Sequence, residues 1–204
     1  MQKEDAQEAL QLIRQIVGKV HDDTILQQWG VVMIAVAILN VIALFLTQYF
    51  ILQKNFSPWP YITIWSLYLG IKLLINLWSR RQMGGTMTYV EKHIWGNGIT
   101  YVLASFGILM LDLMTLPLDL ALKVIPAHQA IISAVSFAII SLINTRFFLN
   151  TAIFFLTAAL VGIWPTYGYA ILGIMWFFGL LIPGILFYRE RKRTLSEKQY
   201  AQTT

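Results

Sequence analysis

The chain has 204 residues, 57% of them hydrophobic and 12% charged, with a formal net charge of +5 and no cysteine. A soluble domain carries about 25% charged residues, so half that fraction cannot clothe a water-facing surface and lipid must be part of the solvent. The missing thiols exclude disulfides, thiolate metal sites and cysteine nucleophiles, and the basic balance comes without any nucleic-acid reading module, so it is better explained by loops held against anionic lipid.

Residues 4–20 read as an amphipathic helix. Ala6, Leu10, Ile13, Val17 and Val20 recur at helical spacing, with Glu4, Asp5, Glu8, Arg14 and Lys19 on other faces. Such a helix lies on the membrane surface or against the cytoplasmic ends of a bundle, or docks a partner protein. His21, Asp22, Asp23 and Thr24 break the stripe and supply N-cap candidates for the next helix. The long polar start is not that of a cleavable signal peptide.

Six apolar segments follow, expected to span the membrane at 29–51, 60–78, 94–115, 128–143, 148–164 and 167–188. The last is uncharged and runs into Arg189-Glu190-Arg191-Lys192-Arg193. At about 1.5 Å per residue it reaches about 33 Å, enough to cross a hydrocarbon layer of about 30 Å. The segment 82–93 reads as a polar loop around Gly84 and Gly85, and Leu116 to Ile125 as a short interfacial helix or loop bounded by Pro117 and Pro126. The apolar run from Gln129 to Pro165 would measure about 55 Å as one helix, too long for a tilted span. Asn144-Thr145-Arg146 divides it.

The cations test this count. With the basic tail inside, six spans also place the N-terminus inside, and twelve Lys and Arg residues then fall inside against Lys54 and Lys123 outside, with Lys72 in the membrane. That bias is the positive-inside pattern. Trp29, Trp59, Trp78, Trp95 and Trp164 fall at expected span ends, where amphipathic rings favour the headgroup layer. The expected fold is therefore all-α, a polytopic six-transmembrane-helix bundle at 27–188, with a cytoplasmic amphipathic helix and cap at 1–26 and a basic cytoplasmic tail at 189–204.

Polar residues inside lipid are the first functional candidates. Lys72 and Asp112 are the two clear ionisable cases, and Asn40 and Asn76 join them as intramembrane polar positions. The Lys72 ammonium is expected to snorkel toward Arg80 and the cytoplasmic headgroups. Lys72 and Asp112 differ in depth by roughly 12 Å or more, beyond a direct ion pair. Asn150, Ser133, Ser136, Thr151 and Thr157 are expected to hydrogen-bond between helices as packing glue. Pro183-Gly184 is a candidate kink in the last span. His21, Asp22, Asp23, Glu91 and His93 form a weak cytoplasmic metal cluster whose spacing matches no ligand motif. No phosphate-binding or dinucleotide motif and no serine elbow is present, so no catalytic, cofactor or metal residue is assigned.

The order of features resembles a family of small six-span bacterial inner-membrane proteins with no established activity. The resemblance rests on Glu8, Ala9, Leu10, Leu12 and Ile13 in the leading helix, Trp29-Gly30 at the first span, and Leu181-Ile182-Pro183-Gly184 before the basic tail. It implies bacterial origin and a plasma-membrane location, where the span count and the basic tail place both termini in the cytoplasm, and it carries over no site residue. The expected function is that of a non-enzymatic interaction or regulatory component of the membrane, with the lipid bilayer and a cytoplasmic protein or a second copy of the chain as partners. A small-solute transporter or permease subunit is the alternative, and a membrane-embedded lipid-modifying enzyme a weaker one.

Overall fold

The computed structural model describes residues 29–82 and 89–203. The expected amphipathic helix at 4–20, the cluster His21-Asp22-Asp23 and the Gly84-Gly85 loop lie outside them. Six helices are long and apolar enough to cross a membrane: α1 Gly30–Leu52, α2 Pro58–Gln82, α3 Tyr89–Thr115, α4 Leu118–Ser141, α5 Phe148–Ile163 and α6 Gly168–Thr203. The protein is an all-α, multi-pass membrane bundle.

Each connection has a local cause. After α1, Lys54 takes the left-handed conformation at φ 52°. Asn55 Oδ1 then accepts from the Ser57 amide at 3.1 Å, an Asx turn that delivers Pro58 to the first turn of α2. Between α4 and α5, Asn144 Oδ1 accepts from the Arg146 amide at 3.0 Å and opens a 3-10 turn, Thr145–Phe147. A second 3-10 turn, Pro165–Tyr167, leads into α6.

The central pair is α1 with α6, packed antiparallel along most of their span. Gly30 and Gly184 make this approach possible. A Cβ at Gly30 would stand 2.7 Å from the Tyr188 amide nitrogen and 2.8 Å from the Gly184 carbonyl oxygen. Small residues let helix backbones close to van der Waals contact where lipid supplies no hydrophobic drive. Toward the other end, Gly173 admits Leu44 and Phe45, the contacts of its Cβ position being 3.2–3.3 Å. Helices α4 and α5 complete the core through aromatic packing: Phe137 stacks on Phe147 and Phe154, and Trp176 of α6 closes on Phe154 at 4.9 Å between centroids.

The outer helices differ. α2 packs on α1, and α3 packs on α4, with few close backbone approaches between α2 and α3. Only 6% of the span residues of α2 and of α3 are buried, against 33–39% in the other four helices.

Three expectations are corrected. Leu116 to Ile125 is not a separate interfacial piece, and the fourth span does not begin at 128: α4 runs unbroken from Leu118 to Ser141 through Pro126. Proline is tolerated inside a transmembrane helix where neighbours cover the freed backbone, and Pro126 is buried with its ring against Gly168. The backbone of residues 89–93 is likewise helical rather than loop, and α6 continues as helix through the basic stretch to Thr203. At about 1.5 Å per residue its 36 residues reach about 54 Å, so its basic end projects past the apolar span. Arg146 Nη1 holds Glu190 of that extension at 2.8 and 3.0 Å, tying the α4–α5 turn to it. Arg80, Arg81, Arg146 and the α6 cations thus share one end of the bundle, called here the basic face.

Because the clash at Gly30 is with backbone, Gly30→Ala should lower unfolding stability in detergent by about 1–3 kcal/mol. Gly107→Ala, whose Cβ position has nothing within 4 Å, should change it by less than about 1 kcal/mol. Thermal unfolding of the two variants side by side checks this.

Candidate functional site

Three polar side chains of α2, Tyr68, Lys72 and Asn76, recur every fourth residue, which places them along one face of the helix. Tyr68 Oη donates to Asn40 Oδ1 of α1 at 2.7 Å. Lys72 Nζ donates to Tyr68 Oη at 3.4 Å and stands 5.5 Å from the centre of that ring. Helical side chains lean toward the N-terminus, and Tyr68 lies one turn N-terminal of Lys72. The ammonium therefore points away from Arg80 and the basic face, not toward it. The expected snorkelling is corrected: the phenol of Tyr68 and its ring capture the charge first. Tyr101 of α3 lies within electrostatic range of both Tyr68 and Lys72 and packs edge-on to Trp176 at 5.9 Å.

A second set of polar contacts joins α3 to α4. Asn97 Nδ2 donates to Ser136 Oγ at 2.7 Å, Gln129 Nε2 donates to the Ser105 carbonyl at 3.2 Å, and Asp112 Oδ2 pairs with His128 Nδ1 at 2.9 Å. Asp112 is buried and His128 about one-third exposed. Lys72 and Asp112 do not meet, as their depths require. With α4 starting at Leu118, His128 and Asp112 face each other across the α3–α4 hairpin.

The remaining candidates divide. Asn150 Nδ2 donates to the Gly179 carbonyl at 2.8 Å and clamps α5 to α6. Ser133 and Thr157 bond back within their own helices, the expected behaviour of mid-helix hydroxyls, and Thr151 Oγ1 has no partner. Asn76 makes no side-chain hydrogen bond among the described residues. Pro183 lies inside the continuous α6, and Gly184 is used for the contact with Gly30, Met33 and Ile34. Gln48, which drew no attention in the sequence, spans α1 to the start of α6, donating to the Thr166 carbonyl at 2.8 Å and accepting from the Ala170 amide at 3.2 Å. Its position seven residues after the apolar centre of α1 gave no signal; Tyr68, four residues before Lys72, did.

At the basic face an open cavity of about 420 Å³ lies between α3 and α4, lined mainly by apolar atoms and by Lys92, His93, Asn97 and Thr100. Asn40, Lys72 and Asn76 do not line it. Arg80 stacks over Trp95 at 4.8 Å close by. Among the described residues no three His, Asp or Glu side chains converge to hold a metal ion.

Comparison with protein-family models, curated proteins and solved structures finds no match to this chain. The likeness suggested by its short motifs has no counterpart there.

The Asp112–His128 pair makes a direct forecast. His128→Ala leaves a buried carboxylate without its partner and should destabilise by about 1–3 kcal/mol, whereas pairing it with Asp112→Asn should recover part of that loss. A silent His128→Ala in detergent unfolding would mean that solvent, not the imidazole, satisfies Asp112.

Proposed function

We propose that the protein is a non-enzymatic component of a bacterial plasma membrane, with both termini cytoplasmic, that acts through interaction with another membrane or cytoplasmic protein or with a second copy of itself. The observation that carries this reading is the contrast between helices: α2 and α3 bury 6% of their span residues within the chain, against 33–39% elsewhere. Most polar side chains in the spans are meanwhile spent on helix-to-helix or within-helix bonds, which leaves little free chemistry for catalysis. The orientation rests on the cations gathered at the basic face, which favour the anionic cytoplasmic leaflet.

The absence of native cysteine makes the test clean. Single cysteines at Leu74 and Leu103, which are 66% and 67% exposed on α2 and α3, should cross-link to a second chain in native membranes. A cysteine at Leu156, 58% exposed on α5, should not. Equal yields at all three positions would point to random collision in the bilayer and remove the reading. For orientation, a membrane-impermeant maleimide should label Ser57→Cys from the periplasmic side and Lys92→Cys only after the cytoplasmic side is opened.

A small-solute transporter is the second reading, favoured by the Asn40–Tyr68–Lys72 lane. It expects Asn76→Cys to react with a water-soluble maleimide in intact membranes. The interaction reading expects that position to stay dark.

A further inference from the structure

The lane on α2 has an uncompensated feature. An ammonium group carries three donors, and the Lys72 ammonium uses one of them, on a phenol that already donates its own proton to Asn40. The ion pairs among the described residues are Asp112–His128 and Arg146–Glu190, so no carboxylate of this kind answers Lys72. A lone charge at membrane depth is costly, and such groups ordinarily pair or face a ligand path. One further polar group on the same face of α2 is also unused. Asn76, one turn toward the basic face, makes no side-chain hydrogen bond among the described residues.

We propose that Lys72 is the head-group site for an amphiphilic anion, a carboxylate or phosphate carrying a hydrocarbon chain, which enters from the bilayer between α2 and α3. The geometry selects this class step by step. The charge requires an anion. The surroundings require that the rest of the ligand be apolar, because the seam between α2 and α3 is reached through lipid, past exposed apolar side chains such as Leu103 and Phe106 of α3. The seam is available because α2 rests on α1 and α3 on α4, while the two approach each other mainly through side chains, Arg80 on Trp95 among them. Asn76 Nδ2 lies on the path from the basic face to Lys72 and offers donors to the same head group.

A carboxylate from a partner's transmembrane helix fits less well. Lys72 is partly buried and directed at Tyr68 and Asn40, whereas the outward face of α2 carries Leu69, Leu73 and Leu74 at 56%, 57% and 66% exposure. A helix about 10 Å across, packing on that face, meets leucines rather than the ammonium. A thin acyl chain can slip between helices where a second helix cannot. This proposal is independent of the interaction reading above, since a ligand in the seam neither requires nor forbids a protein partner.

The test uses the full chain, purified in a neutral detergent, delipidated, and examined by native mass spectrometry. Four probes are compared: palmitate against hexadecanol, and phosphatidylglycerol against phosphatidylcholine. Binding of at least one anion about tenfold tighter than its neutral counterpart is expected, equivalent to about 1.4 kcal/mol. Lys72→Met and Lys72→Gln should lose that preference, and Lys72→Arg should keep most of it. Preference for palmitate alone identifies a free amphiphile as the source, and preference for phosphatidylglycerol alone identifies a membrane lipid; either supports the site. Equal binding of anionic and neutral probes overturns it. So does a preference abolished by Arg80→Gln with Arg81→Gln but untouched by Lys72→Met, which would assign the anion to the interface. Cross-linking from position 72 to an acidic residue of another protein, with no anion preference in the purified chain, overturns it in favour of a protein partner. If Lys72→Met fails to elute as a folded species, Tyr68→Phe decides: it removes the hydroxyl that positions the ammonium and should weaken the anion preference while leaving neutral-probe binding unchanged.

Discussion

The rest of the bundle depends on how closely α1 and α6 approach. In hydrocarbon there is no hydrophobic gain in bringing two apolar helices together, because lipid tails are as apolar as leucine. What remains is dispersion at short range, and that requires backbones without intervening side chains. Gly30 and Gly184 supply it at the basic end, and Gly173 against Leu44 extends it along the pair. Gln48 then fastens the far end through the Thr166 carbonyl and the Ala170 amide. With this pair set, α5 and α4 are placed by α6 through Phe137, Phe147, Phe154 and Trp176, and α2 and α3 hang from the two edges of the resulting four-helix core.

That hierarchy explains how the polar side chains are used. Within the core, Asn150 reaches a backbone carbonyl, that of Gly179, which any helix exposes partly where a neighbour packs close. At the α3–α4 edge the polar residues match one another across the antiparallel hairpin, from Asn97–Ser136 near the basic face to Asp112–His128 at the far end. The α1–α2 edge is different. Its pairing begins with Tyr68 on Asn40 and ends at a cation that, among the described residues, rests on a phenol and its ring. Among the described residues, a loosely packed helix thus carries a charge that no carboxylate answers.

Much of the architecture was legible from residue order. The number of spans followed from apolar length and from the cations at alternate ends, which are strong signals because burying a charge in lipid is expensive. Pro117 and Pro126 misled because a proline's effect depends on what covers it: eight residues between two prolines read as a break, yet Gly168 on α6 accommodates the Pro126 ring, a fact of tertiary contact invisible locally. The candidate positions Asn40 and Lys72 were found as polar letters in apolar runs. Their link through Tyr68 was overlooked because tyrosine counts as apolar in such a reading, although its four-residue spacing from Lys72 was present. The partners of Gln48, the Thr166 carbonyl and the Ala170 amide, and the pairing of Asp112 with His128 are likewise set by tertiary packing between helices.

The direction of the Lys72 side chain decides what kind of residue it is. A lysine in the half of a span nearer the basic face can place its ammonium in the headgroup layer only if the stem extends along the helix toward the C-terminus. On α2 the intrinsic lean of helical side chains opposes this, because the basic face lies at the C-terminal end. A tyrosine one turn toward the N-terminus then presents both an acceptor and a π face, and Asn40 fixes the hydroxyl so that its lone pairs are turned to the lysine. Had α2 run in the opposite direction, the same lean would have carried the charge out to water. The residue's role as an interior cation therefore follows from helix polarity together with the Tyr68–Lys72 spacing, and neither alone would produce it.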